Sequence, residues 1–204
     1  MRHQNRLRIS IGWVALLTAA LMLLVLPLKW MTAAVAAAIW HESCHGIAVK
    51  LCGGTIRCVR VGSHGAVMEC EPMSMGRELL CSLAGPLGSI LLVFLAKWCP
   101  RTAVCGLIHA VYNLLPVYPL DGGRALHSAV LMLLPCDRAE RFFLHFERAV
   151  IAFAVIAAAV SAFVLDLGVI PVLAVLILLY RVKREKSLAN CGCRGYNRPT
   201  IVKR

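Results

Sequence analysis

Long runs of apolar residues without charge dominate the chain. The first of them, residues 9–28, holds no charged residue over 20 positions, and about 20 residues are enough for a helix to cross a bilayer. Of the 204 residues 60% are hydrophobic, and the mean hydropathy is +0.76, well above an ordinary soluble domain. Backbone groups inside lipid must pair within their own segment, which favours helices. The sequence therefore predicts an all-α membrane protein, organised as a single domain over residues 1–204.

The apolar runs predict about six transmembrane helices, at residues 9–28, 30–49, 78–96, 102–118 and two within 149–180. Asp166 and Gly168 are expected to form the turn between the last two. Residues 125–135 are apolar but too short to span, so we expect a half-helix or interfacial segment there. Residues 137–148 carry charges and three phenylalanines, which predicts an amphipathic helix at the membrane surface.

The segment between the second and third spans has a different composition. Residues 51–71 contain four glycines that separate short pieces rich in β-branched residues. That pattern predicts a small β-hairpin or a re-entrant loop.

Basic residues are unevenly distributed around the predicted spans. The net charge is +12, and with both termini in the cytosol, 19 of the 22 Lys and Arg residues lie inside and three outside (Lys29, Lys97 and Arg101). This asymmetry follows the positive-inside rule and predicts an even number of spans with a basic cytoplasmic tail at 181–204. Because the charges are spread over several loops without interleaved aromatic residues, no nucleic-acid partner is expected.

The second span contains a short stretch of polar and ionisable residues, His41-Glu42-Ser43-Cys44-His45. On a helix, His41 and His45 share one face, with Cβ atoms roughly 5–6 Å apart, so both rings can bind one ion. Glu42 points past that ion and is placed to act as a base toward water. Ionisable groups at membrane depth are costly and rare, so a functional interpretation is favoured over chance. Lys50 follows about 14 Å along the helix, which places the site nearer the cytosolic face.

A second group of polar residues follows the fourth span. Pro116 and Pro119 cannot continue a regular helix, so the backbone must unwind before Asp121. Asp121 is either a turn or cap residue beside two glycines or the third ligand of a zinc site with an open fourth position. His109 is interpreted as a packed histidine, and the glycine-rich stretch 84–89 as a helix-packing motif.

The two motifs together resemble the site-2 protease family of intramembrane zinc metalloproteases, and the resemblance covers a core at residues 30–124. The second motif is Asn113-x-x-Pro116-x-x-Pro119-Leu120-Asp121-Gly122. The short six-span plan looks closest to the stage IV sporulation protein FB type, although the CBS domain usual in that branch is not in this sequence.

The resemblance implies a peptide-bond hydrolase with one catalytic Zn²⁺. His41, His45 and Asp121 would be the metal ligands, Glu42 the general base, and Asn113 a contact to the substrate backbone or oxyanion. The expected partners are a membrane-anchored protein substrate, the lipid bilayer and regulatory membrane proteins, and the expected location is the bacterial cytoplasmic membrane. Cleavage within or near the bilayer would release a transcription factor such as a pro-sigma factor. The segment 51–71 would either receive the unwound substrate as an added strand or only plug the bundle.

Two other functions fit the same residues. Buried polar groups and a broken helix also suit a cation transporter, and a proteolytically inactive membrane scaffold would keep the fold. Glu42 favours hydrolysis, since a cation pathway has no need for a carboxylate that is not a ligand.

Overall fold

The computed structural model describes residues 8–11, 27–62, 65–71, 73–163 and 170–190. The chain divides into two compact units, Met1–Leu114 and Leu115–Arg204. Most of the first predicted span, the turn at Asp166 and Gly168, and the end of the basic tail lie outside the described residues.

Helix α1 (Leu28–Leu51) is the centre of the first unit and carries both histidines. It begins directly after Pro27, where the missing amide hydrogen costs nothing because the first turn has no acceptor for it. Its buried residues Ala33, Ala37 and His41 recur every four positions, which places them on one face. The helix predicted at 30–49 is therefore present and is slightly longer than expected.

Two helices pack against α1. They are α2 (Met75–Leu91), which continues as a 3-10 turn over Leu92–Leu95, and α3 (Pro100–Asn113). Both bury small residues, among them Gly85 and Gly88 on α2 and Gly106 on α3. A Cβ added at Gly106 would lie 3.1 Å from the Ser89 carbonyl oxygen of α2, so glycine at this position favours the close approach of the two helices.

A three-stranded sheet accompanies these helices. Strands β2 (Ile56–Gly62) and β3 (Gly65–Cys70) form an antiparallel hairpin, which is one of the two structures predicted for residues 51–71. Strand β1 (Arg8–Ile11) pairs in parallel with β2, so the order is β1-β2-β3 and β2 is central. The prediction that the first span begins at Ile9 is wrong, because Ile9 to Ile11 are bonded into this sheet.

The predicted break in the backbone is confirmed. Helix α3 ends at Asn113 instead of continuing to Tyr118, because the prolines that follow cannot donate the hydrogen bonds of further turns. In the second unit, Leu115–Leu120 is a series of turns closed by bonds such as Leu120 N–H to the Val117 carbonyl at 2.9 Å.

Three helices form the described part of the second unit: α4 (Asp121–Leu133), α5 (Cys136–Phe163) and α6 (Ile170–Asn190). The separate surface helix predicted at 137–148 is wrong, because α5 runs unbroken through the charged and the apolar part. No glycine or proline, the two residues least favourable in a helix interior, lies between Cys136 and Phe163 to interrupt it. Helix α6 also continues into the predicted tail.

Among the described residues, two helical stretches are long and apolar enough to cross a membrane: Met75–Leu95 and Cys136–Ala162, each with a mean hydropathy of 1.9. Both expose large apolar side chains: Phe94 is 78% and Phe153 72% accessible. Exposed apolar surface of this kind marks contact with lipid or a partner. The described fold is mostly helical with one small sheet, and the count of six spans stays a prediction.

Candidate metal centre

His41 and His45 form a close pair on α1. Their Nε2 atoms lie 3.1 Å apart, and the rings meet edge to face with centroids 4.8 Å apart. His41 is only 2% exposed. The one-turn spacing of the motif accounts for this geometry, as the sequence predicts.

The main chain of α2 fixes the orientation of His45. Its Nδ1 lies 2.7 Å from the carbonyl oxygen of Cys81. A carbonyl only accepts, so Nδ1 carries the hydrogen, and in the neutral ring Nε2 then presents a lone pair. His45 therefore offers Nε2 as a ligand atom toward His41.

A side chain of α2 contacts the other histidine. His41 Nδ1 lies 2.9 Å from the hydroxyl oxygen of Ser89. Metal-binding histidines generally bond their second nitrogen to a carbonyl, carboxylate or similar partner, which fixes the ring and raises its basicity. Both histidines have such a partner, and both partners are on the same helix.

The glycines of α2 bring this helix onto the histidines. A Cβ at Gly85 would collide with the His45 ring, and one at Gly88 with the Cys44 side chain. The Gly88 carbonyl accepts a hydrogen bond from Trp40 Nε1 at 2.8 Å. The stretch 84–89 is therefore a packing motif, as expected from the sequence, and it packs on the part of α1 that carries the histidine pair. Sequence reasoning missed Cys81 and Ser89, whose spacing from Gly85 by four residues on either side was the available signal.

Helix α3 also contacts His41. The His109 ring packs edge to face on it, with centroids 4.4 Å apart. Asn113, which is buried, donates from Nδ2 to the His109 carbonyl at 3.0 Å. The structure thus ties Asn113 to the last turn of α3, and its contact to substrate stays a prediction.

The remaining predicted residues occupy defined places in the chain. Glu42 is half-buried on α1, directly after His41. Asp121 is the first residue of α4 in the second unit and is also half-buried. Behind it, Gly123 lies against the backbone of Tyr118, where an added Cβ would be 2.5 Å from the amide nitrogen. The roles of Glu42 and Asp121 stay predictions.

The histidine pair fits a zinc ion. Two nitrogens that bind one zinc at about 2.0–2.1 Å cannot be more than about 4.2 Å apart, and the Nε2 atoms are well within that limit. Imidazole nitrogens are ligands that zinc prefers, and both Nδ1 atoms are already bonded elsewhere. Donor chemistry and orientation therefore agree.

No protein-family model matches the sequence, and no curated protein matches it. A solved structure does match, the Site-2 Protease from Methanocaldococcus jannaschii, with a TM-score of 0.62 over 87% of this chain and 89% of that one. The chain shares its fold with a site-2 protease. The two sequences are 17% identical, so the likeness establishes the fold alone. Separately from this likeness, the two long apolar helices of the described residues have the length and composition of membrane spans.

Proposed function

We propose that this protein is an intramembrane zinc metalloendopeptidase that cleaves membrane-anchored proteins within or near the bilayer. The observation that carries the proposal is the histidine pair, whose Nε2 atoms are 3.1 Å apart while each Nδ1 is bonded to α2. The fold shared with a site-2 protease supports the same function.

The proposed ligands are His41, His45 and Asp121. Each offers one ligand atom, two imidazole nitrogens and one carboxylate oxygen, which is a donor set of catalytic zinc sites that keep a position open for water. Asp121 is proposed from its motif after the helix break, where the backbone no longer continues α3.

When bound, zinc supplies a Lewis acid and lowers the pKa of a bound water toward about 7. Glu42 accepts the proton of the attacking water and passes it to the leaving amine. The Asn113 side chain is proposed to contact the substrate backbone or oxyanion. His41 and His45 need no rearrangement for this step, because their rings are already fixed by Ser89 and the Cys81 carbonyl.

Substrate binding is proposed at the sheet, which lies beside the histidine helix. A Cβ at Gly46 would be 3.8 Å from Ile56 on β2 and 3.9 Å from Met68 on β3, so the hairpin contacts α1 one residue beyond His45. β3 is an edge strand of the described sheet, and such an edge can pair with an unwound peptide through main-chain hydrogen bonds. A transmembrane substrate must unwind before cleavage, because its helix hides the scissile carbonyl.

The finer assignments are also proposals. They are the stage IV sporulation protein FB type, release of a transcription factor, regulatory membrane partners, and an active site nearer the cytosolic face with both termini cytoplasmic.

Metal analysis of the purified protein tests the site. One zinc per chain is expected, lost in His41→Ala and in Asp121→Asn. Two controls match these changes: His145→Ala removes an exposed histidine, and Asp137→Asn removes another carboxylate in the first turn of a helix. Full zinc content in His41→Ala would refute the site, and full content in Asp121→Asn would remove only the third ligand.

Proteolysis is tested by co-expression with a panel of single-span membrane proteins, each tagged at both ends. Glu42→Gln should retain zinc and lose cleavage, because an amide of the same shape cannot accept the proton of water. Cleavage by that variant would remove Glu42 from its role. Zinc binding without cleavage of any panel member, combined with metal-ion flux in vesicles, would favour the transporter.

Strand capture is tested by disulfide crosslinking in a cysteine-free Glu42→Gln background. Cysteines placed along β3 should crosslink to a bound substrate, whereas cysteines in central β2 should not, because both edges of β2 are already paired. Crosslinks elsewhere near the site but none along β3 would mean that the sheet only plugs the bundle.

A further inference from the structure

Ser89 is a buried polar residue to which the proposed mechanism gives no chemical step. It has an exposure of 0%, and its hydroxyl oxygen lies 2.9 Å from His41 Nδ1. On the other side α3 approaches closely, since a Cβ at Gly106 would be 3.1 Å from the Ser89 carbonyl oxygen. Ser89 therefore lies between α1 and α3, with its hydroxyl oxygen beside one nitrogen of His41.

The tautomer of His41 depends on this contact. If Nε2 is to present a lone pair, the neutral ring must carry its hydrogen on Nδ1, and that hydrogen needs an acceptor because His41 is buried. The Ser89 hydroxyl oxygen, 2.9 Å from Nδ1, is placed to accept it. At His45 the same task falls to a main-chain carbonyl, which no side-chain substitution removes.

We propose that Ser89 is a positioning residue that holds His41 with Nδ1 protonated and Nε2 directed at the metal. This inference rests on the proposed zinc site. In the metal-bound protein, His41 Nδ1–H donates to Ser89 Oγ, and the hydroxyl hydrogen points away from the ring. Ser89 touches neither substrate nor metal, and it acts only through His41.

The chain offers a matched control in Ser82. It lies two turns earlier on the same helix and is 1% exposed. Within the part of the chain that the structure describes, its hydroxyl oxygen has no hydrogen-bond partner. Ser82→Ala and Ser89→Ala each remove one buried hydroxyl group, but only Ser89→Ala removes a contact to a histidine.

The experiment measures the zinc affinity of the full-length protein by chelator competition. Ser89→Ala should weaken zinc binding about 10–100-fold, the usual effect of losing an outer partner of a histidine ligand. Ser82→Ala should leave the affinity unchanged. Equal affinities in the two variants would overturn the inference, and a wild-type protein that binds no zinc would overturn it together with the proposed function.

Nitrogen NMR of ¹⁵N-histidine-labelled, zinc-loaded protein provides a second readout, with the His41 ring signals assigned through their bonded connection to the His41 backbone. The wild type should show a protonated Nδ1 with a slowly exchanging hydrogen, and Ser89→Ala should lose that slow exchange while Ser82→Ala keeps it. A wild-type His41 with its hydrogen on Nε2 would refute the role of Ser89 even if Ser89→Ala binds zinc weakly.

Discussion

Gly85→Ala is expected to disable the metal site through a single methyl group. The added Cβ would lie 2.6 Å from both Cδ2 and Cε1 of the His45 ring, and nearer still to Nε2. Ordinary contacts begin at 3.4 Å, so the ring would have to withdraw by at least about 0.8 Å. Metal–ligand distances tolerate only about 0.2 Å. The Cys81 carbonyl holds the far side of the ring, so the withdrawal also strains that hydrogen bond.

The zinc affinity of Gly85→Ala should fall at least about 10–100-fold, which is the usual effect of removing the hydrogen-bond partner of a metal-binding histidine. Proteolysis should fall about 10²-fold, the usual cost of a 1 Å misplacement. Overpacking should also reduce the free energy of unfolding by about 1–3 kcal/mol.

Gly88→Ala separates these effects. It adds the same methyl group one turn later, but against the Cys44 side chain. Its loss of folding stability should resemble that of Gly85→Ala, whereas its zinc affinity should remain close to that of the wild type. Chelator competition and thermal unfolding in the same detergent measure the two quantities. A folded Gly85→Ala protein with wild-type zinc affinity would refute the geometry.

Three further changes have defined outcomes. Trp40→Phe removes the hydrogen bond to the Gly88 carbonyl and should cost about 1 kcal/mol of unfolding free energy with zinc content unchanged; loss of zinc would show that Trp40 also positions the site. Gly123→Ala should lower the melting temperature strongly, because the added methyl meets the backbone of Tyr118 and not a flexible side chain, and a wild-type melting curve would contradict that packing. The hydrogen bond from the Thr55 side chain, followed by the contacts to Arg57, lowers the pKa of Glu71 below 4.5, so Thr55→Val should raise that pKa in an NMR titration. Because the pKa of Glu71 is lowered in the folded protein, the stability that Glu71 contributes is complete above about pH 4.5 and is lost as the pH falls through the folded pKa. A pKa of Glu71 that is the same in Thr55→Val and in the wild type would contradict the hydrogen bond.

Features set by neighbouring residues could be predicted from the sequence. The pairing of His41 with His45 follows from one helical turn, the hairpin from its glycines, and the helix break from Pro116 and Pro119. Each depends on a few consecutive positions, so the local pattern holds the required information.

Features set by distant residues could not be predicted in this way. The partners of His41 and His45 lie 48 and 36 positions away on α2, and no periodicity within one helix reports which face of another will meet it. The change from charged to apolar composition within α5 suggested a boundary where the backbone has none. The pairing of β1 is likewise non-local, and an apolar strand and the start of an apolar helix look alike over four residues.

The parallel pairing of β1 also sets an order of events during synthesis. Ile11 pairs with Val61, which is translated 50 residues later. At about 5–20 residues per second, the ribosome needs roughly 3–10 s for that stretch. The helix with both histidines is therefore fully synthesised before β1 can pair with β2. A nascent chain halted before Val61 would contain the histidine motif but could not form the pairing of Ile11 with Val61.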